Sequence, residues 1–186
     1  AKDTCDDFEL CDVIAKANTT KRELFNQLNS ITGTKVFDDK SSSHYKAACR
    51  WVDFLNGKDA NDHWYSDLLQ YFYLALLYFS TTGEQWHDST SWVSNTSFCH
   101  WYGISCDDYG VVTSINLSSN KMRGAIPVEL AELRGLEYVL VSNNFLMGSI
   151  PVDIWTKLER LKEFNACNNT LMGSLPSTIG GLKEMF

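Results

Sequence analysis

A short phrase of Gly, a small residue, an aliphatic residue and Pro occurs three times in the second half of this chain. The copies occupy residues 124–127, 148–151 and 173–176, so their prolines are 24 and then 25 residues apart. A repeat of this length indicates a solenoid, in which each unit buries its apolar face against its neighbours. No other feature of the sequence constrains the fold as strongly.

Each copy follows a strand-like segment and an Asn. The segments are 112–117, 136–141 and 161–166, and the Asn residues are Asn120, Asn144 and Asn169, each four residues before the Gly. We expect the Asn amides to lie in a buried row, where they satisfy backbone groups of a turn. The Gly permits a tight bend, and the Pro fixes φ in an extended return run. These residues are therefore interpreted as structural rather than catalytic.

The middle copy gives the clearest pattern. It contains, in order, Leu133, Leu136, Val139, Val141, Asn144, Leu146, Gly148, Ile150 and Pro151. This order resembles the plant-type leucine-rich repeat, LxxLxxLxLxxNxLxGxIPxxLxx, and the resemblance covers about half of the chain. It implies an α+β solenoid of the kind found in plant and algal extracellular proteins.

A stretch rich in Trp and Cys precedes the repeats. Trp86, Trp92, Cys99 and Cys106 follow the order found in the N-terminal cap of plant-type leucine-rich repeat proteins. The resemblance implies a Cys99–Cys106 disulfide and Trp side chains that cover the open edge of the first repeat. A solenoid end needs such a lid, and a disulfide over a short loop would stiffen it.

Apolar residues at helical spacing predict three helices ahead of the cap, at 21–31, 44–55 and 62–80. The third is dense in aromatic residues, which we interpret as core rather than as a cofactor or carbohydrate groove. The predicted organisation is a helical lead-in over 1–64, a helix with a cysteine-rich cap over 65–111, and three repeats over 112–186. The last residues match the start of a fourth repeat, so we expect further repeats or another chain to cover that edge.

Composition bounds the partners and the compartment. A formal net charge of −7 argues against nucleic acid or an anionic membrane as the main partner. The longest apolar run, 68–79, is too short to span a bilayer. Six cysteines and four N-glycosylation sequons favour a secreted or cell-surface protein. Asn18 and Asn95 are the candidate glycosylation sites, whereas Asn116 and Asn168 are disfavoured because they lie in or beside repeat strands.

The remaining cysteines leave alternatives open. Cys11–Cys49 would tie the lead-in to the second helix, but Cys5–Cys11 is equally compatible with the sequence. Cys167 occupies the repeat position held by Ser118 and Ser142 in the earlier copies, so it is either free or paired with a cysteine of the lead-in.

No motif for catalysis, a cofactor or a metal is recognisable. The sequence has no nucleophile elbow, phosphate-binding loop or paired Cys motif, and its four His residues are scattered. His100 adjoins Cys99, but the implied disulfide would consume that thiol. The acidic 107–110 stretch is a better hairpin turn than a calcium site, because it offers only two carboxylates. We therefore expect no enzyme activity, cofactor or metal.

What remains is a binding surface on the repeat strands. In this architecture the residues between the inward-pointing aliphatics form a concave or lateral face, for which the candidates are Ser114, Asn116, Tyr138, Leu140, Glu163 and Asn165. The resemblance implies a non-enzymatic recognition module for a protein, peptide or polysaccharide. The alternatives are a structural or accessory subunit of a larger assembly, which docks through its open solenoid end and lead-in, and an inhibitor of a wall-degrading hydrolase.

Overall fold

The computed structural model describes residues 39–56 and 65–174, together with Asn26 and Ser30. Within these ranges the helices are α1 (Ser43–Asn56), α2 (Tyr65–Ser80) and α3 (Val152–Lys157). The strands are β1 (Ile104–Cys106), β2 (Val112–Asn116), β3 (Arg123–Gly124), β4 (Tyr138–Leu140), β5 (Phe145–Gly148), β6 (Glu163–Asn165) and β7 (Thr170–Leu171). Short 3₁₀ helices occupy Gly83–Gln85, Phe98–His100 and Val128–Glu132.

Helices α1 and α2 pack together and form the apolar centre of the N-terminal part. They lie where the sequence predicts its second and third helices, although 62–64 fall outside the described residues. Of the predicted helix at 21–31, only Asn26 and Ser30 are described, and both are helical. Helix α2 is buried on all sides from Tyr71 to Tyr78, and Phe54 of α1 stacks on Tyr71 with ring centroids 4.3 Å apart. The aromatic residues of α2 from Tyr71 to Tyr78 are thus core, as predicted.

The segment between α2 and the first repeat strand is held by a disulfide and a chain of aromatic contacts. Cys99 and Cys106 are bonded with an S–S distance of 2.02 Å. The indole of Trp92 contacts Trp86 and Trp101, at centroid distances of 4.8 and 5.1 Å. The three Trp side chains are all buried, so they form a continuous apolar layer beside the first repeat.

A hairpin joins this segment to the repeats. The Asp107 carboxylate accepts hydrogen bonds from the backbone N–H groups of Tyr109 and Val111. Strand β1 then pairs antiparallel with β2. The turn predicted at 107–110 is confirmed.

Strands β2, β4 and β6 form a parallel array, and β1 completes a four-stranded sheet in the order β1-β2-β4-β6. These strands lie inside the three predicted segments but are shorter. The ladder continues beyond them as isolated hydrogen bonds, for example from Leu117 N–H to Leu140 C=O. Val139 and Val141 point inward and are buried, as are Ile115 and Leu117 in the neighbouring segment, so these two segments give rows of aliphatic side chains to the solenoid core.

The predicted extended conformation is present at Pro127 and Pro151, whose ψ angles are 143° and 133°. It does not continue beyond them, because Val128–Glu132 form a 3₁₀ helix and α3 begins directly after Pro151. Pro suits the residue that precedes a helical turn, because its missing N–H has no intrahelical partner to lose. Extended residues also lie before the Pro, where β3, β5 and β7 form a second parallel sheet that the sequence analysis did not predict.

The row of Asn side chains predicted from the repeat is present. Asn144 accepts from the backbone N–H groups of Asn120 and Met122, at 2.9 and 3.0 Å. Its amide nitrogen donates to Leu117 C=O and Val141 C=O, at 2.8 and 3.0 Å. One buried side chain thus joins two successive turns.

Two polar contacts tie the helices to the repeats. The buried Gln70 of α2 accepts from Val112 N–H and donates to Gly110 C=O, at 2.7 and 3.2 Å. The imidazole Nε2 of His44 in α1 forms a hydrogen bond with the Glu129 carboxylate, with Nε2 and Oε1 2.7 Å apart. Helices and repeats therefore share one packed unit. Across the described ranges, no helix has the length and apolar character needed to cross a membrane.

Candidate functional site: an exposed sheet face

The outer face of β2, β4 and β6 brings all six candidate binding residues together. The parallel register places Ser114, Tyr138 and Glu163 side by side, and two residues further along it aligns Asn116, Leu140 and Asn165. Adjacent strands of a sheet lie about 4.8 Å apart, so each row is a compact line of three side chains. We call the surface formed by these six residues the front face.

The front face rests on a rigid base. Directly beneath it, Ile115 and Val139 are fully buried, and both are flanked by residues that point outward. Alternation of this kind locks the register, because a slip by one residue would expose the apolar row. The outward side chains are therefore presented at fixed spacing.

The front face combines polar groups with one aromatic and one aliphatic side chain. Tyr138 is 37% exposed, Leu140 is half-buried, and Asn116 and Glu163 are exposed. Lys162 lies beside them, with its Nζ 6.0 Å from the Tyr138 ring centroid and 3.0 Å from the Glu137 carboxylate. Such a surface can bury an apolar group against Tyr138 while hydrogen-bonding a polar ligand through amide and hydroxyl groups.

Strand β1 adds one residue, Ser105, to the front face, which the sequence pattern did not predict. Ser105 pairs with Ser114 across the antiparallel β1–β2 ladder, and it is exposed, so it extends the first row by one residue. The hairpin turn at 107–110 was the signal, since a turn there requires the preceding strand to pair with β2.

A second exposed surface was also missed, on the sheet formed by β3, β5 and β7. Its outward residues are Arg123, Phe145, Met147, Thr170 and Met172, and we call this the side face. The signal was a period-two alternation in the residues just before each repeated Gly, where buried Met122 and Leu146 sit between exposed neighbours.

The reactive thiol–imidazole pair considered for Cys99 and His100 is not formed. Cys99 is in the disulfide with Cys106, so His100 has no thiol beside it. Cys49 is also disulfide-bonded. Cys11, one candidate partner, lies outside the described residues, as does Cys5, so the choice between Cys11–Cys49 and Cys5–Cys11 stays a prediction. Cys167 is a free, exposed thiol at the end of β6.

The Asn residues of the three described N-glycosylation sequons are all exposed, whether the sequence favours or disfavours them as glycosylation sites. Asn18 lies outside the described residues. Asn95 is exposed, but so are Asn116 and Asn168, which the sequence analysis disfavours. Asn116 belongs to the front face, so a glycan at that residue would cover neighbouring Leu140.

Asp88, whose carboxyl has a lowered pKa, lies in a loop that is joined to the repeats by hydrogen bonding. The Thr90 side chain and backbone N–H hold the pKa of the Asp88 carboxyl below its usual range. The backbone N–H of Asp88 donates to the Asn120 side chain at 2.7 Å. These contacts order a loop and fix the first Asn of the row, which gives this carboxylate a structural role.

Comparison with known proteins relates the repeats to one family. The model described as Leucine Rich Repeat matches residues 160–182. Receptor-like kinase TMK4 of Arabidopsis thaliana is 38% identical over 74 residues, which are 40% of this chain and 8% of that protein. Phytosulfokine receptor 1 of the same plant is 31% identical over 98 residues, covering 52% of this chain and 9% of the receptor. This chain thus matches less than a tenth of the length of either relative.

Among solved structures, the ectodomain of the receptor kinase SOBIR1 from Arabidopsis thaliana has a similar fold. The TM-score is 0.51 at 22% sequence identity, and the match covers 68% of this chain and 64% of that one. The likeness supports the solenoid architecture seen here.

Proposed function

Because the solenoid is built of leucine-rich repeats of the plant extracellular type, we propose that this chain is a non-enzymatic recognition module that binds a protein or peptide through its front face. The observation that carries the proposal is the alignment of Ser114, Tyr138 and Glu163 with Asn116, Leu140 and Asn165 on one exposed surface. A binding function needs no more than such a fixed array of complementary groups.

The composition of the front face supports a peptide ligand. Tyr138 offers a large, partly exposed ring, and tyrosines of this kind are common anchors in interfaces. The amide groups of Asn116 and Asn165 can pair with a peptide backbone, because each carries both donors and an acceptor. Receptor names among the relatives, such as phytosulfokine receptor 1, agree with this class of ligand.

We further propose that the module works outside the cell or at its surface. The Cys99–Cys106 bond and the disulfide at Cys49 belong to an oxidising compartment. In this proposal residues 65–111 form a family-type cap, 1–64 a helical lead-in, and 112–186 the binding repeats.

The proposal is tested by selecting a displayed random-peptide library on the wild-type protein and measuring the affinity of the selected peptides. The Tyr138→Ala variant is expected to bind them on the order of tenfold more weakly, because it removes the central ring of the face. A matched control is Val128→Ser, which changes an exposed residue beyond the front face, 45% exposed, and is expected to leave affinity unchanged.

Unchanged affinity in Tyr138→Ala would move the binding site away from the front face. A glycan array, run in parallel, tests the alternative that the ligand is a polysaccharide. Binding of oligosaccharides, but of no peptide, would contradict the proposed ligand class.

A further inference from the structure

The side face exposes more large apolar side chains than the front face does. Phe145 is 48% exposed, Met147 54% and Met172 73%. All three lie in or directly after two neighbouring strands, β5 and β7, which pair in parallel. Because Met147 pairs with Thr170, Met172 lies diagonally across from Met147 on the same outward face. Diagonal neighbours of this kind lie within reach of long side chains, so the three residues can form one apolar patch.

The solenoid core does not require these three side chains. Leu146, between Phe145 and Met147, is fully buried and already supplies the inward contact of β5. Contiguous exposed apolar groups that the core does not need are typical of an interaction surface. Methionine adapts its shape to a partner, because its side chain is unbranched and flexible.

One edge of the second sheet is closed to an added strand. The N–H of Arg123 donates to Thr81 C=O at 3.0 Å, and the Thr82 hydroxyl donates to Arg123 C=O at 2.7 Å. Backbone groups of β3 are thus already paired on the side away from β5. A partner at this end must recognise the side chains of the face rather than extend the sheet.

Positive charge borders the apolar surface. The guanidinium carbon of Arg123 lies 4.5 Å from the centroid of the Phe145 ring, and Lys121 is exposed two residues before it. Among the described residues, neither cation has an acidic partner, whereas Lys157 and Lys162 are paired with Glu132 and Glu137 at 2.7 and 3.0 Å. In a chain of net charge −7, these two cations favour a carboxylate beside the apolar residues of the side face.

We propose that the side face is a second docking site, which binds an acidic amphipathic segment of a partner protein. The apolar side chains of that segment pack on Phe145, Met147 and Met172. Its carboxylates pair with Arg123 and Lys121, and the stacked guanidinium keeps its remaining N–H groups available as donors. This site is separate from the front face and does not depend on the ligand proposed for it.

The experiment uses three labelled synthetic peptides, in which Leu alternates with Asp, Leu with Lys, or Ser with Asp. Their binding to the whole chain is followed by fluorescence anisotropy. We expect the Leu–Asp peptide to bind. The affinity of the other two peptides should be lower by at least a factor on the order of ten. Added salt should weaken the Leu–Asp complex, because its ion pairs are exposed.

Variants locate the site. We expect the double variant Met147→Ser/Met172→Ser to bind the Leu–Asp peptide on the order of tenfold more weakly than the wild type. The single variant Arg123→Gln is expected to lose affinity by a similar factor. The matched control is Val128→Ser with Val152→Ser, which removes two apolar residues of similar exposure, 45% and 55%, outside the side face. It should bind as wild type does, as should Tyr138→Ala.

Three results would overturn the proposal. They are failure of the Leu–Asp peptide to bind the wild type, equal binding of the Leu–Lys peptide, and binding that survives the paired methionine changes. Loss of binding in Tyr138→Ala alone would assign the peptide to the front face. Circular dichroism of each variant distinguishes loss of binding from loss of fold.

Discussion

At the scale of single residues, Asn144 has the densest set of buried polar contacts in the repeats. It is 6% exposed, and its amide serves backbone groups of its own turn and of the preceding one. These groups have no helix or strand partner where the chain turns. The side chain therefore replaces the backbone ladder at each corner of the solenoid, while Asn120 plays the same part against the loop at Asp88.

We predict that Asn144→Ala lowers the free energy of unfolding on the order of 3 kcal/mol, because it leaves several buried N–H and C=O groups unpaired. Asn116→Ala, at an exposed position on β2, should cost no more than about 0.5 kcal/mol. Urea denaturation of both variants checks the comparison. Equal losses would mean that the buried amide contributes no more than an exposed one.

At the scale of elements, the residue just before β1 lies directly against the end of β2. Gly103 has a φ of +76°, and a β-carbon there would overlap the carbonyl oxygen of Asn116. Its own carbonyl accepts from Asn116 N–H at 2.7 Å. Glycine is needed at this position both for its backbone conformation and for the space that it leaves.

Substitution of this glycine has a matched control in the second sheet. Gly148 has a similar φ of +78°, but a β-carbon there would meet only Ala125 Cβ, at 3.8 Å. Gly148→Ala should therefore cost about 1 kcal/mol of backbone strain. Gly103→Ala should cost at least about 2 kcal/mol more, because β1 must also move away from β2. Thermal unfolding of the two variants measures the difference, and similar melting temperatures would contradict the proposed close approach.

At the scale of the whole molecule, side-chain contacts between residues far apart in sequence join the helices to the solenoid. Gln70 reaches the hairpin before β2, and His44 reaches Glu129 after the first repeat Pro. Glu129 has only 7% of its side chain exposed, so it needs a hydrogen-bonding partner such as His44. Because the front and side faces remain exposed, the helices stabilise the repeats without covering the two surfaces proposed for binding.

We predict that His44→Ala and Glu129→Ala are coupled. The His44 change leaves a largely buried side chain without its hydrogen-bond partner, and should lower the unfolding free energy by about 2 kcal/mol. The double variant should lose about 1 kcal/mol less than the sum of the single losses, since the second change removes the unpaired polar group. Unfolding curves of all four proteins complete the cycle, and additive losses would show that the pair contributes no coupling.

The sequence allowed the repeat strands, the Asn row and all six residues of the front face to be predicted. Each of these features recurs with the repeat period, and in a solenoid each unit contacts chiefly its neighbours, so local spacing determines the three-dimensional neighbours. The register of Tyr138 beside Ser114 and Glu163 follows directly from that spacing.

Other features depended on the tertiary structure. The helical turns after Pro127 and Pro151, the exposed side face beside β3 and the addition of Ser105 to the front face were not predicted. The pairing of His44 with Glu129, 85 residues away, has no sequence period to reveal it. Such contacts form only when separate elements pack together, because burial and the need to satisfy buried polar groups select partners that the sequence does not bring near each other.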